Sequence, residues 1–159
     1  MTKNGKIISL VAALFILSAN ALIAQQDFVW DHYKVALTLP NDFKVIKNTD
    51  NEFECDGDAM HLYMYVYEDE QVDFKEMVKA TKELAKKLNF EVTDEVHNFK
   101  DDGFEGRYVL GTKDGRQIML CGLINQNSAA NFWIAIEYEE NDPVAEKDGI
   151  AILNSIRQH

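Results

Sequence analysis

The residues best suited to acid–base chemistry or metal binding are histidines and cysteines, and they are scattered along the chain. They are His32, His61, His97, His159, Cys55 and Cys121. Cys55 and His61 are close enough in sequence to share a metal ion, but two ligands without a third at a recognisable spacing do not define a zinc site. The sequence therefore predicts neither a metal site nor a cofactor.

Motifs for nucleophilic and phosphate chemistry are missing from the sequence. It has no G-x-S-x-G, C-x-x-C or H-E-x-x-H, and no glycine loop for a phosphate. An acidic cluster runs from Asp50 to Asp58, but it lacks the ligand spacing and the glycine of an EF-hand loop. Alternating charges are typical of a solvated edge strand. No residue is predicted to be catalytic. The alternative is an enzyme or metal-dependent protein whose site is assembled from scattered histidines and carboxylates.

A row of tyrosines forms the first candidate binding surface. The stretch Met60 to Tyr67 alternates as a strand does, which places Tyr63, Tyr65 and Tyr67 on one face. The methionines and Leu62 occupy the other face, which we expect to point to the core. Tyrosine offers contact area and a hydroxyl group, so the row suits a ligand or a partner. Alternatively, a helix or loop covers it, since tyrosine is common in strands.

A lysine-rich helix face forms the second candidate binding surface. Val72 to Asn89 has helical apolar spacing, and Asp73 with Glu76 forms a capping box at its start. The face opposite the apolar one carries Lys75, Lys79, Lys82, Lys86 and Lys87. The central three, Lys79, Lys82 and Lys86, suit docking of an anionic partner. The alternative is a solvated face, because lysine is a good helix former.

Phe104 to Glu139 predicts three consecutive antiparallel strands around which the rest is built. The Asp114-Gly115 pair is typical of a type I′ hairpin turn, and it sets Leu110 opposite Met119. Both faces of this hairpin are apolar, so we expect a covering layer on each. A second helix is predicted to begin at Asn141-Asp142-Pro143.

The first 24 residues read as a secretory signal. Two lysines precede an apolar run, which small residues follow, and cleavage is expected after Ala21 or Ala24. The run is shorter than the about 20 residues of a membrane span, so no stable membrane insertion is expected after signal removal. Residues 25–159 then form one domain. Cys55 and Cys121 either pair, as export permits, or remain free core thiols.

The chain is strongly acidic, which narrows the choice of partners. Its formal charge is −11, and loss of the two signal lysines makes it −13. Such a charge repels the phosphates of nucleic acid, so nucleic acid is not expected as a partner.

The order of elements resembles the PsbP/DcrB-like group of small proteins. The resemblance is carried by an early Y-x-V-x-L-x-x-P-x-x-F pattern (Tyr33, Val35, Leu37, Pro40, Phe43), a helix after a hairpin, the three-strand stretch, and a last helix ending at Ile152 to Ile156. It implies an α+β fold in which an antiparallel sheet of about six strands is sandwiched between helices. Members of the group are mostly non-enzymatic binding or assembly proteins. The lipoprotein cysteine of some relatives is absent.

These observations favour an exported, non-enzymatic binding or accessory domain. The short signal followed by an acidic domain is similar to small periplasmic or secreted proteins of Gram-negative bacteria, and a protein partner is expected. An inhibitor or immunity-type protein is a third class that fits the acidity, and it would show a flat exposed patch.

Overall fold

Strands dominate the fold, which is described by a computed structural model for residues 25–68, 72–92 and 97–159. The strands are β1 (Gln25–Trp30), β2 (Val35–Pro40), β3 (Lys44–Asn48), β4 (Glu52–Asp56), β5 (Met60–Glu68), β6 (Glu91–Val92), β7 (His97–Asp101), β8 (Phe104–Lys113), β9 (Arg116–Asn125), β10 (Ala130–Glu139) and β11 (Arg157–Gln158). The helices are α1 (Phe74–Lys87) and α2 (Pro143–Asn154). In these ranges, neither helix has the length and apolarity needed to cross a bilayer. The predicted signal, residues 1–24, lies outside them.

The large sheet has the strand order β3-β4-β5-β10-β9-β8-β6, with β7 also paired to β8. Its central strands, β8 to β10, confirm the predicted three-strand stretch. Asp114 and Gly115 have φ values of 53° and 77°, as a type I′ turn requires. Leu110 accordingly lies opposite Met119.

The inner face of the large sheet is covered by a second, three-stranded sheet (β1-β2-β11) together with α2. The Trp30 ring of β1 lies 5.6 Å from the Phe132 ring of β10, and Leu37 and Ile152 are buried in the same core. Helix α1 packs on the outer face. The predicted α+β class, with a helix on each face, is confirmed. The small sheet was not predicted, and the described strands outnumber the expected six or so.

The segment Phe28 to Leu39 has the alternating residue pattern of one continuous strand, but it forms a β1–β2 hairpin. Lys34 has a positive φ of 54°, and the backbone N–H of Tyr33 donates to the carbonyl of Trp30 at 3.2 Å. No glycine or proline marks this turn, and the alternation of residue types continues across it. The alternation of residue types therefore does not indicate that the chain reverses direction between β1 and β2.

Both helices begin as predicted, although the buried side of α2 differs. Asp73 and Glu76 form the capping box of α1, and the Asp142 side chain caps α2 ahead of Pro143. The spacing of apolar residues in this part of the sequence groups Val144 with Ile152 and Ile156, but Val144 is 62% exposed. The buried side of α2 instead carries Ala145, Gly149, Ile152 and Leu153.

Helix α1 lies close to the sheet because Gly122 has no side chain. A Cβ at this position would lie 2.5 Å from Thr81 Oγ1 and 2.7 Å from Met77 Sδ. Gly111 similarly makes room for the ring of Phe90. Glycines on neighbouring strands are compatible with either close packing or a shallow groove, and the structure shows close packing.

Candidate functional site

Helix α1 covers only part of the outer face of the large sheet. It packs over β8 and β9, and β4, β5 and the adjoining side of β10 extend beyond it. The outward side chains of these strands are in register, with Glu54 opposite Tyr63 and Tyr65 opposite Trp133. We call this surface the open face, and it consists of Glu52, Glu54, Asp56, His61, Tyr63, Tyr65, Tyr67, Trp133 and Glu137.

The predicted tyrosine row lies along the middle of the open face. Met60, Leu62 and Met64 are buried on the opposite side of β5, so the predicted orientation of this strand is confirmed. The rings of Tyr63 and Tyr65 stack at 6.3 Å with an interplanar angle of 11°. Tyr65 remains 43% exposed. The row therefore presents stacked aromatic rings that α1 does not cover.

An aromatic cleft lies where the tyrosine row meets the edge of α1. It has a volume of about 310 Å³ and is lined by Tyr67, Ala80, Glu83, Leu84, Lys87 and Trp133. The rings of Tyr67 and Trp133 are 5.8 Å apart. Alternation along β10 places Trp133 on the side of the strand away from Phe132 and Ile134. That alternation was the signal available from the sequence, and it did not show that Trp133 lies beside the tyrosine row.

His61 is held between two carboxylates at the other end of the row. Its Nδ1 lies 3.0 Å from Asp56 Oδ1, and its Nε2 lies 3.0 Å from Glu54 Oε1. The ring also packs on Tyr63, with the ring centroids 4.1 Å apart. Each ring nitrogen lies within hydrogen-bonding distance of a carboxylate oxygen, so the imidazole is held between Glu54 and Asp56 at the end of the aromatic row.

The open face carries a negative potential. Lys47 Nζ lies 2.9 Å from Glu52 Oε1 and 3.8 Å from Glu54 Oε2. Glu137 forms no ion pair with any residue that the structure describes. Burial raises the pKa of Tyr63, and the charges of Glu137 and Glu54 raise it further. The one positive charge of Lys47 does not neutralise the carboxylates of the open face, so this face should attract a cation.

The acidic segment does not form the outermost strand that was predicted. Strand β4 is paired on both sides, by β3 and β5, and β3 is the edge of the sheet. Register shifts between Val45 and Lys47 mark an irregularity in β3, which makes this edge a poor template for another strand. The acidic side chains of β4 therefore belong to the open face rather than to an edge.

Histidines and possible metal ligands do not converge in the part of the chain that the structure describes. No group of three or more His, Cys, Asp or Glu side chains is placed to hold a metal there. Cys55 points into the core while His61 lies on the open face, so these two cannot share an ion. His32 and His97 pack on different tyrosines in separate parts of the fold.

The central lysines of α1 lie away from the open face. Lys79, Lys82 and Lys86 are exposed, and none of them lines the aromatic cleft. Lys87, at the end of the lysine face, does line it. Lys79 Nζ lies 3.8 Å from Glu83 Oε1 one turn away, and both side chains are well exposed. Such an exposed pair contributes little to stability. Among the described residues, the two candidate surfaces predicted from the sequence therefore meet at Lys87 alone.

Cys55 and Cys121 do not form the disulfide that export would permit. Both are free and buried. Strands β5 and β10 lie between β4 and β9, so three strand spacings, about 14 Å, separate the two cysteines. A disulfide needs Cα atoms within about 7 Å. The two residues act as small apolar side chains, and burial raises the pKa of Cys55 to about 12.

Sequence comparisons identify no relative, whereas structural comparison identifies a fold. No protein-family model matches the chain, and no curated protein matches its sequence. A structure from Bacteroides thetaiotaomicron VPI-5482 is similar with a TM-score of 0.53 and 10% identity, over 84% of this chain and 48% of that one. The chain thus spans less than half the length of that protein.

A second similar structure is the Ran-binding protein Mog1p of Saccharomyces cerevisiae. Its TM-score is 0.58 at 9% identity, over 86% of this chain and 96% of that one. At such identities the likeness concerns the fold alone. The chain has a Mog1p-like α+β fold, in agreement with the fold class that the PsbP/DcrB resemblance implies.

Proposed function

We propose that this protein is a non-enzymatic binding domain that docks a protein partner on its open face. The observation that carries the proposal is the uncovered tyrosine row, in which Tyr65 is 43% exposed. Aromatic side chains are enriched in protein interfaces, so exposed tyrosine rings that no other element covers suit contact with a partner. Mog1p, a Ran-binding protein, supports the use of this fold for binding another protein.

Export and family membership are further parts of the proposal. The signal pattern of residues 1–24 supports a periplasmic or secreted location in a Gram-negative bacterium. The early strand pattern and the order of elements support a place in the PsbP/DcrB-like group. N-terminal sequencing of the protein from the periplasmic fraction should begin at Leu22 or Gln25. An uncleaved chain confined to the cytoplasm would contradict export.

Site-specific photo-cross-linking in living cells tests the docking role. Tyr65 is replaced by p-benzoylphenylalanine, which keeps an aromatic ring on the row. The matched control carries the same residue in place of Val144, which is 62% exposed on α2, the helix that packs on the inner face. We expect a discrete adduct of higher mass from position 65 and none from position 144.

Two results would contradict the proposal. One is the absence of any adduct at position 65 although the variant folds, as judged by circular dichroism. The other is an equal pattern at positions 65 and 144, which would indicate unspecific encounter rather than docking on the open face.

A further inference from the structure

We propose that the open face binds a basic protein segment in a two-point manner, with one apolar residue in the aromatic cleft and cationic side chains on the acidic end. This inference rests on the proposed docking function and adds the chemistry of the partner. It follows from the two ends of the row on β5, because the carboxylates lie at the His61 end and the aromatic cleft lies at the Tyr67 end.

The acidic end supplies the charge complementarity. Four carboxylates surround the His61 end of the row, those of Glu52, Glu54, Asp56 and Glu137. Lys47 lies beside two of them, Glu52 and Glu54. Glu54 and Asp56 hold the imidazole from opposite sides, but a carboxylate has further acceptor positions for an arginine or lysine.

The stacked rings suit the same kind of partner. Tyr63 lies between the His61 ring, at 4.1 Å, and the Tyr65 ring, at 6.3 Å. A guanidinium group stacks on an aromatic face while its N–H groups donate to neighbouring carboxylates. The exposed ring of Tyr65 beside Glu52 and Glu54 offers both interactions at one place, and the charges of these two glutamates contribute to its raised pKa after burial.

The aromatic cleft supplies the apolar point. Its walls are the rings of Tyr67 and Trp133 and the side chains of Ala80 and Leu84. Glu83 and Lys87 also line the cleft, and because their charges are opposite, the cleft should not prefer a charged side chain of either sign. Interface anchors are typically apolar or aromatic residues that fill such pockets.

The spacing of the two points defines the partner segment. Tyr63 and Tyr67 are four residues apart on β5, which corresponds to about 13 Å in an extended strand. An extended peptide covers this distance in about four residues. Tyr65, the exposed ring opposite Glu52, is two residues from Tyr67 on the same strand. The partner should therefore carry basic residues about two to four positions from its apolar anchor.

A pair of synthetic peptides tests this inference. The probe is acetyl-Leu-Gly-Ser-Gly-Arg-Ser-Arg-amide, and its counterpart has glutamate in place of both arginines. Tryptophan emission reports binding, since Trp133 lines the cleft while Trp30 is fully buried. We expect binding of the arginine peptide alone, weakened when NaCl is raised from about 0.05 M to about 0.5 M.

Charge-neutralised variants separate specific docking from general attraction to an acidic protein. The double change Glu54→Gln and Glu137→Gln should weaken arginine-peptide binding about fivefold. The control double change, Asp31→Asn and Glu91→Gln, removes the same charge from exposed positions outside the open face and should leave binding within about twofold. Ala80→Leu should fill the cleft and abolish the preference for leucine over glycine at the first peptide position.

Each contrary result has a defined meaning. Equal binding of the two peptides, equal weakening by both double variants, or no binding of the arginine peptide overturns the basic-segment inference. If the adduct at position 65 then contains a partner segment without lysine or arginine, the docking function stands and only its chemistry is wrong. If no adduct forms, the docking function itself fails.

Discussion

Two tyrosine hydroxyl groups differ in what they contact, and this difference is measurable. Tyr138 is almost fully buried, and its hydroxyl has no hydrogen-bond partner among the described residues. The hydroxyl of Tyr33 donates to the carbonyl of Asp50 at 2.8 Å. Because an unpaired buried hydroxyl gives no stabilisation, Tyr138→Phe should leave the free energy of unfolding unchanged or raise it. Tyr33→Phe should lower it by about 0.5–1 kcal/mol. Urea denaturation of both variants measures this, and a loss confined to Tyr138→Phe would contradict the assignment.

Asp27 is a carboxyl group whose contribution to stability should depend on pH. A hydrogen bond from Thr38, with a further one from Arg157, holds the pKa of Asp27 below its usual value of 3.8. A carboxyl group with a lowered folded pKa stabilises the protein above its unfolded pKa, and this stabilisation is lost as the pH falls through the folded value. Asp27→Asn should therefore lower Tm at about pH 7 and have no effect near pH 2.

Exposed Asp31 in the adjoining turn provides the control for this pH dependence. Asp31→Asn, measured by the same thermal melts, should show no comparable difference between the two pH values. Equal losses from Asp27→Asn at both pH values would mean that its effect does not depend on its charge.

At the scale of elements, two glycines at contacts between a helix and the large sheet should respond to substitution in opposite ways. A Cβ at Gly122 would press on α1 at Met77 and Thr81, whereas one at Gly149 in α2 would meet Met119 Cε at an ordinary 3.5 Å. Gly122→Ala should therefore cost about 1–3 kcal/mol through overpacking. Gly149→Ala should stabilise α2 by about 0.5–1 kcal/mol because alanine favours the helix. Chemical denaturation of both variants tests the pair, and stabilisation by Gly122→Ala would show that α1 does not lie close to the sheet.

The elements that local chemistry specifies were the ones predicted from the sequence. Asp114-Gly115 permits the positive φ angles of a tight turn, and Asp73 with Glu76 caps α1, so both features appear where expected. The β1–β2 turn was missed because it uses Lys34 at positive φ rather than a glycine. For the site, alternation along β5 predicted the tyrosine row. Trp133 joins it only through the pairing of distant strands, which no local pattern contains.

For the whole molecule, thiol labelling reports on global unfolding. Burial raises the pKa of Cys55 to about 12 and also raises that of Cys121. Native protein should therefore resist iodoacetamide at about pH 8, because the thiolate is the reactive form. Denaturation without reductant should allow two alkylations, seen by mass spectrometry. If the denatured chain is not alkylated, the two cysteines form a disulfide. If the native chain is alkylated rapidly, the cysteines are not buried in a closed core.

The layer arrangement was only partly accessible from the sequence. Two apolar faces in the Phe104 to Glu139 segment indicated that both sides of the sheet are covered. Which layer covers them depends on contacts between distant segments, such as Trp30 with Phe132 and Arg157 with Asp27. The open face exists because α1 is narrower than the sheet beneath it, and sheet width follows from strand pairing rather than from residue pattern.

The pairing of β5 with β10 has a consequence for how the chain folds. Ala130 pairs with Glu68, 62 positions earlier, and Tyr138 pairs with Met60 at the other end of the same ladder. Closing such a long loop costs entropy before any contact is gained, and sheets built this way fold in milliseconds to seconds rather than microseconds. The first half of the chain cannot complete the sheet alone. The β5–β10 ladder can therefore form only once residues near 139 are available, and for an exported protein such late completion of the sheet suits passage through a translocation channel.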